Sequence, residues 1–207
     1  MQHYHVLGDS ITYYAFPYLE QAVSGKIQVT RKGMGVYFDG DMNTDSIING
    51  GDSACVRDYL QKDAPDFDVL VFNCGLHDIK TVNGVPQQTA AEYRDNLETV
   101  LTQMETAGKP VIWISSTPVN DALHAQRCKD FGRSDRDIRA YNAIAHEVMQ
   151  SHGVPEIDLY TFTAQLGGEE LYRDHIHYIE AICQKQAAYV ADHLLHFEQD
   201  RYNGKPR

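Results

Sequence analysis

The hydrophobic positions fall into two kinds of pattern that alternate along the chain. Val69-Leu70-Val71-Phe72 and Val111-Ile112-Trp113-Ile114 are continuous apolar runs of strand length, as expected for strands buried on both faces. His3 to Gly8, Lys26 to Thr30 and the weaker Val154 to Leu159 complete five candidate strands. Between them apolar residues recur every three or four positions: Tyr93, Leu97, Val100, Leu101 and Met104; then Ile138, Tyr141, Ile144 and Val148; then Ile179, Ile182, Val190 and Leu194, with Gln186 a polar break. Thr89 with Glu92 reads as a capping box, and Ser134 with Asp137 as a second helix start. Pro17 fits a first helical position, so the first helix is expected to start near Pro17 rather than at Ile11.

Strand and helix in alternation predict an α/β fold: a three-layer α/β/α sandwich around a five-stranded parallel sheet, flavodoxin-like. The 207 residues suit a single domain spanning 1–207, with no repeat or linker. Arg31 to Gly50 is a Gly- and Asp-rich connection too long for an ordinary strand-to-helix loop; a binding lid and a surface insertion are both open readings.

Composition narrows the partners. With 43% apolar residues the chain can bury a core. A formal net charge of −11 disfavours nucleic acid and anionic membranes. No run of about 18 apolar residues is present, and Met1 to Gly8 has no leader-like pattern, which makes the cytoplasm the expected location. Cys55, Cys74, Cys128 and Cys183 are scattered without a CxxC pair, so free thiols are expected, with Cys74 in the core. The histidines outside the candidate site, His124 among them, show no consistent ligand spacing.

In an open parallel sheet, ligands bind beyond the carboxyl ends of the strands. There the chain places Gly8-Asp9-Ser10-Ile11-Thr12, Asn73-Cys74-Gly75-Leu76-His77-Asp78, Ser115-Ser116-Thr117-Pro118 and Tyr172-Arg173-Asp174-His175-Ile176-His177. A serine hydroxyl needs an imidazole to take its proton, and that imidazole works best when a carboxylate fixes its tautomer. Asp174 and His177 offer both groups three residues apart.

Four blocks in order then resemble the SGNH/GDSL hydrolases: Gly8-Asp9-Ser10-Ile11-Thr12, Asn49-Gly50-Gly51-Asp52-Ser53, Gly75-Leu76-His77-Asp78 and Asp174-x-x-His177. The resemblance implies a serine esterase with a triad of Ser10, His177 and Asp174 acting through an acyl-enzyme. It also implies an oxyanion hole from the Ser10 amide, a glycine amide and a third-block side chain. Gly51 is the preferred glycine, with Gly33 the alternative. The third block departs from the family pattern, because His77 stands where an asparagine is expected. A neutral imidazole donates only in the correct tautomer, so His77 is expected to be a working substitute on that condition. Asp9 is expected to orient the turn around Ser10 rather than react, and His177 rather than His175 to be the base.

No cofactor or metal is required. The expected substrate is a small-molecule or carbohydrate ester with a short acyl chain such as O-acetyl, the 13 tyrosines suiting contact with sugar rings. Tyr37, Phe38, Tyr172 and Tyr178 are the candidates for that contact. Three other readings stand beside this one: a catalytically silent binding fold, a lysophospholipase or thioesterase for longer chains, and a metal-dependent hydrolase gathering His77, Asp78, Asp174, His175 and His177.

Overall fold

The computed structural model describes residues 1–202. In chain order the elements are β1 (His3–Leu7), α1 (Ser10–Val23), β2 (Gln28–Arg31), α2 (Met42–Ile48), α3 (Ser53–Lys62), β3 (Val69–Phe72), β4 (Thr81–Val82), β5 (Val85–Pro86), α4 (Ala90–Thr106), β6 (Val111–Ile114), α5 (Asp121–Arg127), α6 (Asp135–Ser151), β7 (Glu156–Ile157), α7 (Leu159–Ala164) and α8 (Glu180–Tyr202). The main sheet is parallel in the order β2-β1-β3-β6-β7, with Val6 opposite Val71 and Phe72 opposite Trp113. This is the expected flavodoxin-like order. The chain runs outward from β1 to β2 and returns to β3 on the other side, which leaves a crevice at the carboxyl ends of β1 and β3.

Alternation along the central strands feeds two cores. Leu70, Phe72 and Trp113 pack with Val56 of α3, Leu97 and Leu101 of α4, and Ile138 and Val148 of α6. Val69, Val71, Ile112 and Ile114 face the other way, onto Phe16, Leu19 and Val23 of α1 and Val190 and Leu194 of α8. All of β3 and β6 is therefore buried, which explains their unbroken apolar runs. Truncating a fully buried residue such as Leu97 to Ala costs about 2–5 kcal/mol. The two expected caps form: Thr89 and Glu92 make the reciprocal box, and Ser134 Oγ accepts from the Asp137 amide at 3.1 Å. Gln186, the polar break in α8, is buried and donates to Thr163 Oγ1 at 3.1 Å.

Three local features depart from the sequence expectation. First, α1 begins at Ser10 and carries Pro17 in its interior. Asp9 caps the helix by accepting from the Ile11 and Thr12 amides, and burial of Ile11, Phe16, Leu19 and Val23 outweighs the missing proline N–H. Second, the 31–50 connection contains the short helix α2 and is tied at its base. The Arg31 guanidinium donates to the carbonyls of Lys32, Gly33 and Val36, and Lys32 Nζ to those of Ser46 and Asn49. Third, β4 and β5 form a hairpin whose turn is Asn83-Gly84, both at positive φ, the conformation an Asn-Gly hairpin turn requires. Among the described residues, no helix is long and apolar enough to cross a membrane.

Candidate active site

The site is built where β1 ends. After Leu7 the chain turns through Gly8, and the Asp9 carboxylate makes Ser10 the first residue of α1. The Ser10 amide is thus one of the helix N–H groups with no acceptor inside the helix. Asp9 is fully buried, and burial raises its pKa against the pull of its two amide donors. Its carboxylate caps the turn into α1.

The second block docks directly on the first. The Gly50 amide donates to the Gly8 carbonyl at 2.7 Å, and a Cβ on Gly50 would come within 2.7 Å of that same oxygen. Only glycine permits this approach. Gly51 follows with φ +76, and its amide donates to Asn49 Oδ1 at 2.9 Å. Gly33, the alternative glycine, turns the chain after β2, and a Cβ there would come within 2.9 Å of the Ile47 carbonyl.

From the other side comes the turn before α8. His177 Nε2 lies 2.8 Å from Ser10 Oγ, and His177 Nδ1 lies 2.8 Å from Asp174 Oδ2. Asp174 Oδ1 accepts from the amides of Ile176 and His177, at 2.9 and 2.8 Å. Burial pushes the Asp174 carboxyl up, but the hydrogen bonds from the His177 ring and these two amides outweigh it and hold it well below the usual carboxylate range. Two residues that the sequence patterns did not single out brace this turn. Tyr14, one helical turn after Ser10, packs edge-on against the His177 ring at 5.2 Å between centroids. The Arg173 guanidinium stacks over Tyr14 at 4.0 Å, its Nε 3.5 Å from Asp174 Oδ2. Contact with His177 is tertiary and leaves no local sequence signal. His175, the rejected alternative base, lies no closer than 4.0 Å to Asp174 Oδ1 through its Nδ1.

The third block completes the crevice. His77 Nε2 lies 3.4 Å from Asn49 Nδ2. Burial, together with the cationic groups of Lys80 and Arg133, pushes the His77 pKa down to about 3, so the ring is neutral at ordinary pH. Asp78 turns inward and accepts from the Ser53 amide and hydroxyl. Ser53 Oγ accepts in turn from Asn96 Nδ2, a chain that locks the third block onto α3 and α4. Burial raises the Asp78 pKa to about 7. The five residues of the metal-dependent alternative do not converge, because Asp78 faces Ser53 while Asp174 and His177 are committed to each other and to Ser10.

A model of the GDSL-like lipase/acylhydrolase family matches residues 6–185. The chain belongs to the GDSL-like lipase/acylhydrolase family. The four blocks from Gly8 to His177 all lie inside the matched segment, and GDSL-like acylhydrolases are carboxylic ester hydrolases acting on small-molecule esters. No curated protein sequence matches significantly. Solved structures do. A lipase/acylhydrolase from Enterococcus faecalis superposes with TM-score 0.74 at 20% identity, over 95% of this chain and 96% of that one. The acetyl xylan esterase AlAXEase gives 0.71 at 15% identity, over 93% and 99%. Est24, a carbohydrate acetylesterase from Sinorhizobium meliloti, gives 0.66 at 13% identity, over 95% and 100%. At these identities the likeness is one of fold, and it bears out the three-layer architecture of a GDSL hydrolase.

Proposed function

We propose that this GDSL hydrolase is a serine esterase in which Ser10 is the nucleophile, His177 the general base and Asp174 its orienting carboxylate. The observation that carries this reading is the pair of 2.8 Å contacts linking Ser10 Oγ, His177 and Asp174. Ser10 Oγ attacks the acyl carbonyl as its proton passes to His177 Nε2, which then returns it to the departing alcohol. Water enters by the same route, its proton taken by His177, and releases the acid from the acyl-Ser10 ester. Asp174 holds the imidazole with Nδ1–H toward the carboxylate and stabilises the imidazolium formed in each attack.

The oxyanion forms beside the Ser10 amide at the N-terminus of α1, where free N–H groups and the helix dipole favour negative charge. His77 is its side-chain donor. Because the Gly51 amide donates to Asn49 Oδ1, the Asn49 carboxamide is oriented with Nδ2 toward His77 Nε2. Nε2 is then the acceptor, and the neutral ring carries its proton on Nδ1. Nδ1 occupies the same δ position on the side chain as an asparagine amide nitrogen, so His77 offers its N–H where an asparagine would. Gly51 adds its amide to the hole only by sharing the bond to Asn49 Oδ1, and it is the weakest of the three donors.

Short acyl esters, including O-acetyl groups on carbohydrates, are the proposed substrates. The 31–50 connection comes up to the active-site helix, where the Phe38 amide donates to the Tyr13 hydroxyl at 3.0 Å. Beside it Tyr37 is exposed, an aromatic face suited to a sugar ring. AlAXEase and Est24, similar in fold, are named as esterases of acetylated carbohydrates. Hydrolysis of p-nitrophenyl esters from C2 to C12, with Ser10→Ala as control, tests the proposal. Activity is expected to peak at C2–C4 and vanish with Ser10. No turnover of any ester, together with no labelling of Ser10 by a serine-directed phosphonate, would establish the silent binding fold instead.

A further inference from the structure

Helix α5 carries a second cluster of chemistry-bearing side chains. His124 and Cys128 are one helical turn apart, Cys128 following the last residue of the helix and donating its amide to the His124 carbonyl at 2.8 Å. From the turn that bears Asp174 and His177, His175 reaches across to them, its ring 5.1 Å from that of His124 between centroids. One ligand atom from each of His124, Cys128 and His175 lies within 4.8 Å of the other two, the one such convergence of three histidine, cysteine or carboxylate donors among the described residues.

The state of His124 points to a ligand. The residue is 2% exposed, and its Nε2 lies 3.3 Å from the Phe131 carbonyl. A carbonyl accepts only, so Nε2 bears the proton and Nδ1 presents a lone pair. That Nδ1 is buried and makes no hydrogen bond of good geometry, although the His175 backbone carbonyl also lies toward the ring; an unsatisfied buried nitrogen costs about 1–3 kcal/mol. A ring held by one nitrogen on a backbone carbonyl, with the other nitrogen bare, is how metal-bound histidines are oriented. Cys128 is a free, half-buried thiol within reach.

We propose that His124, Cys128 and His175 form a zinc site that pins α5 to the turn carrying Asp174 and His177. Two imidazoles and one thiolate suit Zn²⁺, a borderline-soft ion bound tetrahedrally by N and S donors, and a water fills the fourth position. Bond lengths of about 2.0–2.1 Å to nitrogen and 2.3 Å to sulfur place tetrahedral donors roughly 3.3–3.6 Å apart. Closing from within 4.8 Å takes small rotations of the Cys128 and His175 side chains. Binding converts the Cys128 thiol to thiolate and releases its proton to solvent. The thiolate also offsets the Arg133 guanidinium and the Lys80 ammonium, which lie over the Phe131 ring at 4.9 and 5.0 Å. The site takes no part in ester cleavage. It holds the residue two before His177, so its effect is on the rigidity of that turn.

The test is cobalt titration of the full chain, reduced with a phosphine and stripped of metal beforehand. Wild type is expected to develop a thiolate-to-cobalt charge-transfer band in the near ultraviolet and tetrahedral d–d bands in the visible, saturating at one cobalt per chain. Cys128→Ser is expected to lose the charge-transfer band, and Cys55→Ser, at an exposed thiol, to keep it. His175→Ala is expected to weaken binding by at least about tenfold while keeping the sulfur band. No charge-transfer band in wild type would overturn the proposal, as would a band that survives Cys128→Ser or disappears in Cys55→Ser. Unchanged affinity in His175→Ala would overturn the link to the catalytic turn. Because the readout is metal absorption, it stands apart from ester hydrolysis and from the assignment of Ser10.

Discussion

Two imidazoles face the crevice from opposite sides, and their surroundings differ in kind. His177 is partly exposed and set against the Asp174 carboxylate, which itself accepts from two backbone amides. His77 is also half-buried, but with the cations Lys80 and Arg133 near and a neutral carboxamide at its Nε2. Burial and the two cations keep the His77 ring neutral. In the proposed mechanism one residue type serves both as proton carrier and as fixed dipole. Neighbours, rather than the histidines themselves, assign the roles.

Substitutions that swap those neighbours separate the two sides. The largest effect belongs to the proton-carrying side: Ser10→Ala is expected to lower kcat for a C2 ester by about 10⁴-fold or more, and Asp174→Asn by about 10³–10⁴-fold, with little change in KM. An Asp174→Asn enzyme within tenfold of wild type would break the assignment of the base. On the dipole side, His77→Ala is expected to cost about 10²–10³ in kcat and His77→Asn much less. Equal losses would remove His77 from the oxyanion hole. Sharper still is Asn49→Asp, which presents an acceptor to Nε2 and draws the ring proton there. The expected loss is about tenfold to a hundredfold, and nitrogen-15 spectra of the imidazole should report Nδ1–H in wild type and Nε2–H or imidazolium in the variant. Wild-type spectra showing Nε2–H would refute the tautomer argument whatever the kinetics.

The smallest effect concerns stability. Asp78 has its pKa raised to about 7 in the fold, against about 3.9 when unfolded. Between those values the folded chain holds more protons at this position than the unfolded chain, so this group makes stability fall as pH rises. Asp78→Asn removes that contribution. The Tm of the variant relative to wild type is expected to improve by a few °C between pH 4.5 and 7.5. A constant difference would mean that Asp78 is ionised throughout.

Much of this was legible in the sequence because it is written locally. The apolar runs of β3 and β6, the Thr89–Glu92 box and the order of the four blocks each depend on residues a few positions apart. What escaped depends on distant partners. Proline propensity argued against the interior of α1, yet packing on α8 decided the matter. Asn49 was visible as part of a block, but its hold on His77 joins segments 28 residues apart. Likewise, His124 and Cys128 show no ligand pattern in the sequence, because the third member of their cluster arrives on a loop far downstream. Tyr14 and Arg173 follow the same rule: no local motif requires them, and only the closed turn brings them onto His177 and Asp174.

The anchoring of the 31–50 connection has a consequence for how such an enzyme changes its substrate. Arg31 and Lys32 grip the segment through carbonyl oxygens alone, those of Lys32, Gly33, Val36, Ser46 and Asn49. Every residue type supplies a carbonyl, so the grip is indifferent to the side chains between. Tyr37, 77% exposed, and Phe38, 40% exposed, stand on the crest of that segment, which is tied to α1 through the Phe38 backbone amide rather than through either side chain. They can be exchanged without moving Asn49, which sits at the anchored end beside His77. On the proposed function, selectivity and chemistry would thus occupy one loop but answer to different parts of its sequence, the first free to drift while the second is held.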